Sequence, residues 1–92
     1  MKKIINGKMY NTETARCVGN WYNNFAPNDL WFYEKHLYQK KTGEFFLYKN
    51  GGPGVFCCGG KIIPMTQQEA KEWMEEYEDA DRYIELFGEP EE

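Results

Sequence analysis

The chain has 92 residues, 41% hydrophobic and 28% charged, a length and balance that fit one folded domain and exclude a disordered chain. Its formal net charge of −4 conceals two regions: residues 1–68 hold nine Lys or Arg against four acids, a net of +5, and residues 69–92 hold eleven acids against Lys71 and Arg82, a net of −9. No apolar run approaches the ~18 residues that a membrane helix needs, and the opening MKKIING breaks too soon for a signal-peptide core, so a cytoplasmic protein is expected.

Asn6-Gly7 between residues 2–5 and 8–10 is the strongest two-residue hairpin signal, because both residues accept the positive φ of a type I′ turn. A tight N-terminal β-hairpin is predicted. The run Asn11-Thr12-Glu13-Thr14 bonds its own backbone and turns the chain before residues 16–22 resume extended structure. Residues 20–28, rich in Asn and carrying Pro27, read as a loop that holds aromatic side chains. Residues 30–40 and 44–49 flank Lys41-Thr42-Gly43, where the Gly supplies a left-handed residue, and are predicted to form the central hairpin of a sheet. Phe45 and Leu47 alternate with Phe46 and Tyr48, yet both sets are apolar. One sheet face therefore takes a helix, and the other is partly covered or binds a partner.

Residues 50–60 contain five Gly and Pro53 and read as a loop, with a short extended segment at 55–58. Residues 61–63 give one more strand, which Pro64 is expected to end. Thr66 and Glu69 then form a capping box, with Met65 and Ala70 at the staple positions. Ala70, Trp73, Met74 and Tyr77 follow the i, i+3, i+4, i+7 rule and bury one helix face. Asp79-Ala80-Asp81 starts a second short helix in which Tyr83, Ile84 and Phe87 pack and Gly88 ends the element; one bent helix fits the same period. The expected fold is α+β: an antiparallel sheet of about four or five strands with one or two C-terminal helices packed on one face. It forms a single domain over residues 1–88, followed by an acidic frayed tail at 89–92. Three Trp, seven Tyr and six Phe supply its core.

Candidate chemistry is sparse. Serine is absent, which excludes a Ser-His-Asp site. His36 is the sole histidine, and a Cys-His pair with Cys17, Cys57 or Cys58 needs a nearby cation or helix N-terminus to lower the thiol pKa. Nothing in the sequence orients His36, whose plainer reading is a strand residue near the sheet edge. Three Cys are odd in number and two are adjacent, so reduced thiols are expected rather than a disulfide framework. The same three Cys with His36 total four zinc ligands, but vicinal Cys57-Cys58 alternate across an extended segment and lack knuckle spacing. No metal or cofactor is expected. Gly59-Gly60-Lys61-Ile62 fails the phosphate-loop pattern at spacing, hydroxyl and context.

The acids are the remaining signal. Glu69, Glu72, Glu75, Glu76 and Glu78 occupy the helix face opposite the apolar stripe, where like charges three and four residues apart repel. Such a face either solvates the domain or recognises a basic partner. The lysines of the first 68 residues accompany many aromatics on a sheet, a pattern that suits base stacking. In so small a domain, however, the acidic segment lies within about one or two Debye lengths of that surface, which disfavours direct nucleic-acid binding.

The run KKIINGKMYNTETA at residues 2–15, LY at 37–38 with KTGEFFLY at 41–48, GGKIIP at 59–64, and DADRY at 79–83 with FGE at 87–89 span nearly the whole chain. Together they resemble a set of small proteins from Gram-positive gut bacteria and their phages and mobile elements. In that group a polar loop containing Trp or Ser precedes Gly59, where this chain has Phe56-Cys57-Cys58. The resemblance implies a bacterial host cell and a host-interaction role, because small acidic proteins of that setting include anti-CRISPR inhibitors of defence nucleases. It transfers no catalytic residues.

The reading that follows is a non-enzymatic, protein-binding inhibitor of anti-CRISPR type. Glu69, Glu72, Glu75, Glu76, Glu78 and Asp79 meet Lys or Arg on a nucleic-acid-binding partner, and Trp21 and Trp31 supply apolar anchors. The alternative is a regulatory or nucleic-acid-binding module that uses a basic, aromatic sheet face.

Overall fold

Asn6 and Gly7 take φ values of 52° and 77°, the left-handed pair that a type I′ turn requires. β1 (Lys2–Ile5) accordingly folds back on β2 (Lys8–Asn11), with Ile5 opposite Lys8. The structure is a computed structural model that describes residues 1–55 and 59–90. Asn11 closes the next turn as expected: its side-chain oxygen accepts from the Glu13 amide at 2.9 Å and its carbonyl from the Ala15 amide at 3.1 Å.

The chain then builds an antiparallel sheet in the order β3 (Arg16–Tyr22), β4 (Tyr33–Gln39), β5 (Phe45–Gly51) and β6 (Lys61–Met65). Gly43 at φ 95° makes the β4–β5 hairpin, which Lys40 and Glu44 close with a 2.8 Å backbone bond. Boundaries differ from expectation at several places, and β5 runs on through Asn50 and Gly51 where a loop is expected. Residues 30–32 are turn rather than strand, because the Asp29 carboxylate and carbonyl accept the amides of Trp31 and Phe32 at 2.9 and 3.2 Å. Pro64 does not end β6; it pairs with Phe46 inside the strand. β6 lies at the sheet edge, where a missing N–H costs no ladder bond. The extended segment expected at 55–58 falls largely on residues 56–58, outside the described residues.

Thr66 caps α1 (Gln67–Tyr77): its hydroxyl accepts from the Glu69 amide at 3.1 Å, and Glu69 Oε1 accepts from the Thr66 amide at 2.9 Å. Asp79 caps a separate α2 (Ala80–Phe87), and Gly88 at φ 84° ends it. α1 lays Ala70, Trp73 and Met74 on Val18, Leu37, Phe45 and Leu47 of one sheet face, and Tyr83, Leu86 and Phe87 of α2 extend that core. Ile84 is not a core residue; it stays 37% exposed, and Leu86 packs in its place. The fold is thus α+β, with a four-stranded sheet, a two-stranded hairpin and two C-terminal helices.

The opposite sheet face is half covered by the N-terminal hairpin. Tyr10 of β2 meets Phe46 edge-on at 5.5 Å, and with Ile62 they form a second small core against which Ile5, Ala15, Tyr38 and Tyr48 pack. Lys8 ties this hairpin to the β4–β5 turn through Glu44 at 2.9 Å. A bulge between Cys17 and Gly19 turns both Val18 and Gly19 toward the helices.

Candidate functional site

Strand register decides where the charges stand. Lys35 pairs with Lys49, and Lys49 with Lys61, so three lysines form a row across β4, β5 and β6. They share the helix-side face with Leu37, Leu47 and Ile63, two residues along each strand. Like charges directly opposite one another are unfavourable, and here acids of α1 stand across from them. Lys35 and Lys49 line one cleft of about 340 Å³ together with Glu69, Glu72 and Glu76. Lys35 is further held beneath aromatic rings: its Nζ lies 4.6 Å from the centre of Tyr77 and 5.1 Å from that of Trp21, and donates to the Tyr77 hydroxyl at 3.0 Å. Trp21 therefore supports the C-terminal half of α1 rather than standing free, with its edge against Tyr33 and Tyr77.

The six candidate acids do unlike work. Glu69 closes the capping box. Glu78 reaches across to β3, where its Oε1 accepts the Asn20 amide at 2.7 Å and satisfies an outward N–H of the sheet's edge strand. Asp79 accepts the Arg82 amide at 2.9 Å as the N-cap of α2. Glu72, Glu75 and Glu76 remain: all three are exposed, and none is ion-paired among the described residues. Glu72 takes only a 3.3 Å bond from Gln68. The last turn of α1 contains no basic residue, although the negative end of the helix dipole favours cations there. Glu75, Glu76 and the C-cap Glu78 instead add charge of the disfavoured sign.

Trp31 belongs to a different surface. It is 51% exposed on the loop between β3 and β4, beside Leu30 and with Phe25 and Tyr22 also exposed. This loop is tied down. Asn23 Nδ2 donates to the Trp31 carbonyl at 2.9 Å, and its Oδ1 accepts the Tyr33 amide at 3.1 Å. Gly52 and Gly54 donate to the carbonyls of Phe32 and Leu30, each at 2.8 Å. A Cβ at Gly52 would lie 2.4 Å from the Asp29 carbonyl oxygen, so glycine is what allows the two loops to approach.

His36 occupies an inner strand and is 8% exposed, not an edge residue. Its Nδ1 lies 2.6 Å from Asn20 Oδ1 and its Nε2 2.5 Å from Glu34 Oε1, with the Tyr48 ring stacked on it. An oxygen therefore faces each ring nitrogen, and the imidazole is held in place from both sides. Sequence reasoning missed these orienting groups; the period-2 spacing of Glu34 and His36 was the available signal. The network does not activate Cys17. Cys17 Sγ points to Asn20 Oδ1 at 3.2 Å, and burial of the sulfur against the strand pushes the thiol pKa up, although the residue as a whole is exposed. Cys57 and Cys58 lie outside the described residues, as does any zinc set that needs them; among the described residues no three His, Cys, Asp or Glu side chains cluster as metal ligands. No helix among the described residues is long and apolar enough to cross a membrane.

Comparison with family models, curated proteins and solved structures finds no match. The site is therefore read from its own geometry: an acidic arc on α1, a tethered aromatic loop, and lysines held on the helix-side face of the sheet.

Proposed function

We propose that the chain is a non-enzymatic, protein-binding inhibitor whose acidic helix occupies a basic, nucleic-acid-binding surface of a partner protein. The observation that carries this reading is the exposed arc of Glu72, Glu75 and Glu76 on α1, none of them ion-paired among the described residues although Lys35 and Lys49 share a cleft with Glu72 and Glu76. Repulsion within the arc and the opposing helix dipole each act against the fold, so a merely structural optimum would place a lysine there. Trp31, on its bonded loop, supplies an anchor whose burial adds affinity that steering charge alone does not. The resemblance to phage and mobile-element proteins directs the proposal further, to a CRISPR effector as partner and a bacterial cytoplasm as location.

The lysine row supports the acidic reading over direct nucleic-acid binding. Lys35 and Lys49 share their cleft with Glu69, Glu72 and Glu76, carboxylates that repel a phosphate backbone brought to those lysines. Fluorescence anisotropy with labelled single-stranded and duplex oligonucleotides should give no binding at physiological salt; tight binding would favour the nucleic-acid module. Inhibition is tested with purified RNA-guided nucleases: the wild-type chain should block target-DNA binding by a susceptible effector, and the Glu72→Lys, Glu75→Lys, Glu76→Lys variant should not. Equal inhibition by the two would refute the role of the arc.

A further inference from the structure

Between the C-terminal half of α1 and the length of α2 lies a notch of about 390 Å³. Its lining is apolar from Met74, Ala80, Tyr83, Ile84 and Pro90, and acidic from Glu75, Glu78 and Asp79. Among the described residues no Lys or Arg lines it. Met74 at its base is fully buried, while Ile84 on its wall is left 37% exposed. The notch is the place where apolar surface, carboxylates and the carbonyl end of α1 coincide.

We infer that this notch receives an arginine side chain from a basic segment of the partner, an inference that rests on the proposed acidic binding surface and gives it a specific seat. Arginine matches all three features. Its aliphatic stem covers apolar surface while the charged head remains at the rim. Its guanidinium is weakly hydrated, stacks on rings such as Tyr83 and pairs with carboxylates through a planar fork of donors. Glu78 and Asp79 each spend one oxygen on the fold, toward Asn20 and Arg82 amides, and keep the second for a ligand. Glu75 has both. The end of α1 lacks a basic residue in its last turn and favours a cation, while the N-terminus of α2 at Ala80 opposes one, so the carboxylates and the apolar wall carry the pairing.

The probe is acetylated hexa-arginine amide, titrated into the full chain at low salt and followed by two-dimensional amide NMR. Shifts should be largest at Glu75, Ala80, Tyr83 and Ile84 and should saturate, and hexa-lysine should bind more weakly. Ala80→Trp, which fills the notch, should remove those shifts while leaving smaller ones at Glu72 and Glu76. Glu75→Gln, on an exposed helix position that leaves the core untouched, should weaken the notch contact about fivefold. Shifts confined to Glu69, Glu72 and Glu76, or notch shifts that survive both substitutions, would overturn the arginine seat and leave the acidic surface standing. An absence of shifts anywhere on α1 would overturn both.

Discussion

Gly19 has no room for a side chain: a Cβ there would lie 2.6 Å from Trp73 Cζ3 and 3.2 Å from Met74 Sδ. Gly19→Ala must displace a buried indole, and should cost about 1–3 kcal/mol in chemical denaturation. The Lys8–Glu44 pair makes a pH prediction. The Lys8 ammonium, hydrogen-bonded to Glu44, holds that carboxyl below its ordinary pKa. A carboxyl lowered on folding contributes stability above its unfolded pKa, and that contribution disappears as pH falls through the folded value. An NMR titration should show the Glu44 midpoint rising toward its ordinary value in Lys8→Ala. Cys17 should alkylate slowly at neutral pH, since burial raises its thiol pKa and reduces the thiolate; rapid labelling would contradict the inert role assigned to it. His36 illustrates what a linear reading cannot reach. Its partner Glu34 is two residues away, but Asn20 arrives only through the β3–β4 register.

At the scale of elements, the strongest local signals held. Asn6-Gly7 and Gly43 act through the positive φ those residues accept, and the Thr66–Glu69 box and the Asp79 cap through side chains that bond the backbone three residues away, so the sequence alone carries them. Thr66→Ala should cost about 1 kcal/mol, and Thr66→Ser much less, as read by thermal or urea unfolding. Boundaries set by distant strands were less legible. Pro64 stays within β6 because, among the described residues, no strand lies beyond it, and residues 30–32 leave the strand because Asp29 and the glycines at 52 and 54 capture their backbone. The acidic arc makes its own prediction. Glu75→Lys removes repulsion with Glu72 and Glu78 and places a cation near the C-terminus of α1, and should stabilise the fold by about 0.3–1 kcal/mol. The same change should weaken partner binding, the opposition expected where function rather than stability has placed a residue.

Across the whole molecule, the sorted charge of the sequence becomes an arrangement in three dimensions. The basic portion divides: Lys35, Lys49 and Lys61 stand in a row on the helix-side face, while Lys8 and Lys40 engage Glu44. The acidic portion divides as well, into Glu69, Glu78 and Asp79, which serve the fold, and Glu72, Glu75 and Glu76, which remain free of ion pairs among the described residues. Periodicity places all the helix acids opposite the apolar stripe, but only the tertiary contacts distinguish capping and latching from display. The most direct measurement is capture from a bacterial lysate by the immobilised chain, wild type against Glu72→Lys, Glu75→Lys, Glu76→Lys, at low and elevated salt, with folding of both checked by circular dichroism. The account predicts that a nucleic-acid-binding protein is retained by the wild type, is released as salt rises, and is not retained by the folded variant. Equal retention by both chains at every salt concentration would contradict it.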